Sequence, residues 1–294
     1  MGFGIKTRIK KKLSEMVQTS KLNSFIRESI RKNQGQINSF NTNSSGDVLL
    51  LGNGPSAKDI DIERICRTGV ISACVNFFPN NSDIFYSIKP RFLFLMDPRF
   101  FTDSRKNDED IILEKKLAEV DWEMTIVIPA GYNYNINNEK IDCFHLNTNY
   151  YQDERSERIF KLYDENTISP GAMNVIIAAM YFLIASGYKR ILFAGVDMSE
   201  FKDIYVDENN RIFVESTHFY GKRKFYPDEV GVGKYDIHEY LSFYLKMFYE
   251  FSIIAEYAKW KNTDIYNLSS NSYLDNFRKL SEDKAINLIT GDKE

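Results

Sequence analysis

The chain has 294 residues, of which 43% are apolar, 27% charged and 14% aromatic. That is enough to bury a sizeable core without disulfides or structural metals, and it excludes intrinsic disorder. A net charge of −3 argues against a nucleic-acid partner. Cys66, Cys74 and Cys143 show neither metal-site spacing nor an even-numbered disulfide framework, which suits a reducing compartment. No apolar run reaches the roughly 20 residues of a membrane span, and no signal-peptide pattern opens the chain.

Residues 1–33 hold nine Lys and Arg against two acids, a local charge of +7 that leaves −10 for the rest. Ile5, Ile9 and Leu13, then Leu22, Phe25, Ile26 and Ile30, recur at helical spacing. The spacing predicts a basic amphipathic helix. It either lies on an anionic membrane surface or docks on the body or a second subunit. Residues 34–46 are polar, uncharged and rich in Asn and Ser, and read as a linker. A single domain is expected over 47–294. It opens with a buried strand at Asp47–Leu51, a glycine-rich turn at Gly52–Ser56 and a helix. Further buried strands are expected at Val70–Val75, Phe92–Met96 and Thr125–Pro129. Residues 171–187 form a strongly apolar helix too short to span a membrane, and Arg190–Gly195 is another strand. Strands alternating with helices imply an α/β fold with a parallel sheet. Residues of about 198–236 are rich in Asp, Asn, Tyr, Lys and Gly, and forty such residues inside a compact body read as a lid. A long helix at about 236–260, a short strand at Asp264–Leu268 and a polar tail complete the chain.

Three features carry chemistry. Gly52-Asn53-Gly54-Pro55-Ser56 joins a strand to a helix, where glycines admit a ligand to the backbone and free N–H groups attract an anion. Asn53 adds a side chain for a phosphate or ribose. The run satisfies G-x-G-x-x-A through Ala57, a Rossmann-like fingerprint, but Asn76 ends the second strand where a dinucleotide site wants an acid. Two Asp-x-Asp triplets, Asp59/Asp61 and Asp108/Asp110, end no buried strand and read as structural or solvated, so no metal or other cofactor is expected. Of three histidines, His145 lies in a strand-like run and His238 at a helix start. His218 lies in the lid, where an imidazole could take a proton from a hydroxyl.

The order of these pieces resembles the bacterial lipooligosaccharide sialyltransferases that use CMP-N-acetylneuraminic acid. The likeness rests on G-N-G-P-S, the Ile168-Ser169-Pro170-Gly171 helix entry, Ser186–Ile191, Gly195-Val196-Asp197, the lid with His218, Ile265–Leu268 and Asn271–Phe277. It implies one Rossmann-like nucleotide-binding domain with a mostly parallel sheet and a lid subdomain, a variant of the glycosyltransferase A-type fold. It implies a metal-independent, inverting transfer from a CMP-sugar to a glycan acceptor. By resemblance, donor contacts fall on Asn53, Gly54, Ser56, Asn76, Asp97, Ser169, Gly171, Gly195, Asp197, Ser270, Asn271 and Ser272. His218 takes the place of the general base, and Tyr205 that of a tyrosine on the leaving phosphate. A second phosphate-binding tyrosine appears as Ser199, an arginine as Thr167 and an asparagine as Asp97, departures that leave the donor open to another CMP-linked nonulosonic acid. Lipopolysaccharide or capsule synthesis is the expected setting. The expected location is the cytoplasmic face of the bacterial inner membrane, with residues 1–33 on its anionic surface. The family tends toward oligomers, which leaves a homo-oligomer open.

Other readings of the same residues are a Mg²⁺-dependent pyrophosphokinase or nucleotidyl enzyme with Asp97 and Asp197 as ligands, and a transferase with a protein acceptor such as flagellin. A non-enzymatic nucleotide-binding protein at the membrane surface is the third.

Overall fold

The structure is a computed structural model that describes residues 17, 19–33, 36–42, 44–102, 107–151, 155–218, 221–229 and 235–291. Its centre is an eight-stranded sheet: β1 (Asp47–Leu51), β2 (Ile71–Val75), β3 (Phe92–Phe94), β4 (Met124–Pro129), β5 (Ile141–Leu146), β6 (Arg190–Ala194), β10 (Asp264–Asn267) and β11 (Arg278–Lys279). The order is β11-β10-β6-β1-β2-β3-β4-β5, and every pairing is parallel. Strands such as DVLLL and RILFA are apolar along their whole length because helices cover both faces.

Alternation divides the strand residues between two cores. Val48, Leu50, Val75 and Phe193 face α5 (Glu157–Asp164), α6 (Val175–Ala185) and α7 (Ile237–Lys261). Leu49, Leu51, Cys74 and Leu192 face α2 (Ile62–Cys66), α3 (Ser82–Ile88), α4 (Asp108–Ala118) and α8 (Glu282–Thr290). The apolar helix of the sequence is α6, buried from Ile176 through Ala185 between sheet and α7, which accounts for its lack of a polar face. Among the described residues no helix is long and apolar enough to cross a membrane.

The first strand, β1, lies in the middle of the sheet. β1 to β5 step outward in one direction, and β6, β10 and β11 continue on the other side of β1. The order therefore reverses between β1 and β6, which opens a crevice at their carboxyl ends, where parallel sheets bind ligands.

Helix α1 (residues 19–32) docks on the body. Leu22 is fully buried. Phe25 packs on Tyr151 with ring centroids 5.2 Å apart. The buried Ser29 hydroxyl donates to the Thr167 carbonyl at 2.9 Å. Lys21, Arg27, Arg31 and Lys32 are exposed. The stretch expected as a linker is strapped across the sheet edge. Phe40 enters the core against Phe144, Tyr181 and Phe182, and Asn38 exchanges hydrogen bonds with His145 on the edge strand β5. Between β6 and α7 lies a small antiparallel sheet, β7 (Ile204–Val206), β8 (Ile212–His218) and β9 (Gly221–Phe225). One of its faces, with Ile204, Ile212, Val214 and Phe225, packs on Tyr240, Phe243 and Tyr244 of α7. The polar tail is ordered as β11 and α8, which Arg64 ties to α2 through Glu282 and Asp283.

Candidate active site

The crevice is built from turns at the carboxyl ends of β1, β2, β6 and β10. The Gly52 and Gly54 N–H groups donate to the carbonyls of Ala194 and Gly195, both at 2.8 Å, and lace the turn after β1 to the turn after β6. The approach permits no side chain. A Cβ on Gly54 would stand 2.1 Å from Asp197 Oδ2, and one on Gly195, whose φ is +69°, would stand 2.6 Å from the Gly52 carbonyl oxygen.

Ser269 and Asp197 hold the next layer. The buried Ser269 Oγ accepts the N–H of Gly195 at 2.9 Å and the hydroxyl of Ser56 at 2.8 Å. Asp197 Oδ2 accepts the Ser56 N–H at 3.2 Å, and its carbonyl accepts the Tyr273 N–H at 2.9 Å. Three strands are thereby fixed to one another through Ser56, Asp197 and Ser269.

Asn53 and Asn76 stand beside this layer. Asn53 Nδ2 donates to the Val75 carbonyl at 3.1 Å. Asn76 has φ +50°, and its N–H donates to Phe94 at 2.9 Å. The side-chain carbonyl oxygens of both residues are buried without a hydrogen-bond partner. Such orphans carry a desolvation cost that a donating ligand removes. A cavity of about 290 Å³ adjoins the turn, lined by Gly52, Ala57, Lys58, Phe78 and Ile84 among others.

The amino end of α6 reaches the same edge, because α6 runs back into β6. Asn174 caps it by accepting the Ile176 N–H at 2.8 Å, and donates through Nδ2 to Met198 Sδ at 3.4 Å, beside Asp197. Ser169 is buried, and its Oγ accepts the Gly171 N–H at 3.3 Å.

The remaining expected residues are placed as follows. Asp97 follows β3 but is exposed, and its Oδ1 caps its own turn on the Arg99 N–H at 2.9 Å. Ser270 and Asn271 are exposed, and the Ser272 Oγ accepts the Leu274 N–H at 3.3 Å. Tyr205 lies on the face of the small sheet opposite α7, 44% exposed, stacked on Phe213 with centroids 5.3 Å apart. His218 ends β8 opposite Gly221; its side chain lies outside the described residues. Asp61 and Asp110 cap the starts of α2 and α4. Among the described residues no three His, Cys, Asp or Glu side chains gather to hold a metal ion. Beyond Asp197, Glu200 is held above the usual carboxylate range, mainly by burial and further by the charges of Asp197 and Asp203.

Sequence reasoning missed two residues. Ser269 was passed over for the three residues after it, since a run of serines does not reveal which hydroxyl turns inward. Glu250 lies mid-helix, where an acid reads as solvated.

No protein-family model matches the chain, and no curated protein does. Among solved structures, the sialyltransferase CstII from Campylobacter jejuni in complex with the substrate analogue CMP-3FNeuAc is 19% identical with a TM-score of 0.41, over 80% of this chain and 86% of that one. The monofunctional α-2,3-sialyltransferase Cst-I from Campylobacter jejuni is 19% identical with a TM-score of 0.37, over 83% of each chain. An α-2,3-sialyltransferase from the same organism in apo form is 18% identical with a TM-score of 0.38, over 84% of this chain and 82% of that one. The family expected from the motifs thus reappears among the structural neighbours.

Proposed function

We propose that the protein is an inverting glycosyltransferase that moves sialic acid or a related nonulosonic acid from a CMP-sugar to a hydroxyl of a cell-surface glycan. The observation that carries this reading is the crevice at the reversal of strand order, where Asn53 and Asn76 each leave a buried acceptor oxygen idle. A cytosine amino group and ribose hydroxyls are donors of the kind those oxygens lack. The order of sequence motifs narrows the nucleotide to CMP.

The chemistry asks little of the protein. A CMP-sugar carries its leaving group on the anomeric carbon, so the site must hold the phosphate, shelter the cationic transition state and remove one proton from the acceptor. In this reading the amino end of α6 receives the phosphate, and His218 takes the acceptor proton. The Tyr205 hydroxyl, on the open face of the small sheet, serves the leaving phosphate in this reading, and Tyr205→Phe tests that role. No metal is assigned. On the same reading the exposed Lys21, Arg27, Arg31 and Lys32 hold the enzyme at the anionic cytoplasmic face of the inner membrane, each contributing about 1 kcal/mol.

The test is CMP release from CMP-nonulosonic acids with lipooligosaccharide acceptors. His218→Ala is expected to lower turnover by about 10²–10⁴-fold and to leave CMP affinity intact, since the base acts on the acceptor. Near-normal turnover in that variant removes His218 from the mechanism. No release from any such donor removes the reading.

A further inference from the structure

Glu250 lies in the middle of α7 between residues of the core, and it is 0% exposed. Its carboxyl fills the space in front of Gly171: a Cβ there would stand 2.2 Å from Glu250 Cδ and 2.4 Å from Oε2. Gly171 has φ +130°, so both its backbone and its missing side chain are adapted to this neighbour. Oε2 accepts the Met173 N–H at 3.3 Å. Oε1, equally buried, has no partner. An apolar side chain could fill such a place at no desolvation cost. The acid instead grips the loop that runs from Ser169 to the cap of α6, which Asn174 and Met198 join to the crevice.

We propose that Glu250 is a positioning residue of the donor crevice: its neutral carboxyl shapes the 169–174 loop for an anionic donor, and its ionisation places a negative charge beneath that loop and weakens donor binding. The inference rests on the donor site proposed above. Burial pushes the carboxyl up to about 7, while the Met173 N–H and the charge of Lys246 pull the other way. The titratable groups that act on it are Lys246 on α7 and Tyr163 on α5, and Tyr163 in turn feels Tyr150 and Arg155 before α5 and Tyr249 on α7. Neither cation pairs with Glu250. Lys246 lies over the ring of Tyr150, 5.4 Å from its centroid, and Arg155 over that of Tyr249 at 4.3 Å. The 169–174 loop carries no titratable side chain.

The experiment is calorimetric titration of the full chain with CMP-N-acetylneuraminic acid, whose phosphodiester and carboxylate stay ionised across the range. If only the neutral form is competent, the dissociation constant should rise about tenfold between about pH 6 and about pH 8, as the competent fraction falls. Glu250→Gln, neutral throughout, should bind like the wild type at the lower pH and lose that dependence. Glu250→Met, also neutral and of similar length, serves if the amide variant folds poorly. Binding whose pH dependence survives in these variants, or is absent from the wild type, overturns the role of Glu250 alone. Absence of binding at every pH overturns this inference, and where CMP alone also fails to bind it overturns the donor assignment with it.

Discussion

Replacing Ser269 by Ala removes one oxygen and disturbs three strands. Ser269 Oγ is the acceptor for the Gly195 N–H at 2.9 Å and the Ser56 hydroxyl at 2.8 Å, and all three residues are buried. Water cannot replace the lost acceptor without entering the packed turn. Each buried donor left without a partner costs about 1–3 kcal/mol, so two donors suggest a loss of about 2–6 kcal/mol. For a chain of this size that lowers the melting temperature by about 3–10 °C. The disturbed Gly195 also holds the Gly54 N–H at 2.8 Å, and Ser56 belongs to the same turn, so CMP affinity should fall as well. Differential scanning calorimetry and CMP titration of Ser269→Ala beside the wild type make the comparison. A melting point within about 2 °C of wild type, with unchanged CMP affinity, would refute the claim that this hydroxyl organises the crevice.

Two further outcomes follow from the structure. Glu250 holds its proton from its ordinary 4.5 up to about 7, so the stability it contributes is full at low pH and is lost as pH rises through about 7. The difference is roughly 3 kcal/mol at most; urea unfolding should show wild-type stability falling across that window and Glu250→Gln nearly flat. Leu22→Ala should cost about 2–5 kcal/mol, because α1 docks through that side chain, whereas replacing the exposed Lys21, Arg27 and Arg31 by Gln should leave the melting point unchanged and weaken salt-sensitive binding to anionic vesicles.

The central strands could be read from the sequence because each is a short run of β-branched and apolar residues bounded by Gly, Asn or Lys, as in Asp47–Leu51 and Arg190–Ala194. The crevice was legible for the same reason. Glycines at 52, 54 and 195 follow such runs, and their positions after β1 and β6 place them at the reversal of strand order. Elements away from the centre were harder. β5 alternates exposed and buried residues as an edge strand does, so only its Cys143–Asn147 portion read as strand-like. α4 opens with Asp108, Glu109 and Asp110, which looked like a solvated run, yet those acids suit a helix amino end and Asp110 completes a capping box. The 34–46 stretch has a linker's composition, and one aromatic, Phe40, decides the placement of residues 36–42. The 197–236 stretch hid three strands because their residues serve a face packed on α7 and an open face bearing Tyr205, Phe213 and Lys224. Ser269 and Glu250 were invisible because hydrogen-bond direction and burial of a single polar side chain leave no periodic trace.

Calorimetric titration with CMP, set beside UMP, GMP, AMP and NAD in excess EDTA, tests the nucleotide assignment most directly. CMP should bind without metal and at least about tenfold more tightly than the others. Asn53→Ala, which removes one of the two idle carbonyl oxygens, should weaken CMP by about tenfold, the equivalent of one hydrogen bond of about 1.4 kcal/mol. Tighter binding of NAD or GMP than of CMP, CMP binding that requires Mg²⁺, or CMP affinity unaltered by Asn53→Ala would contradict the account.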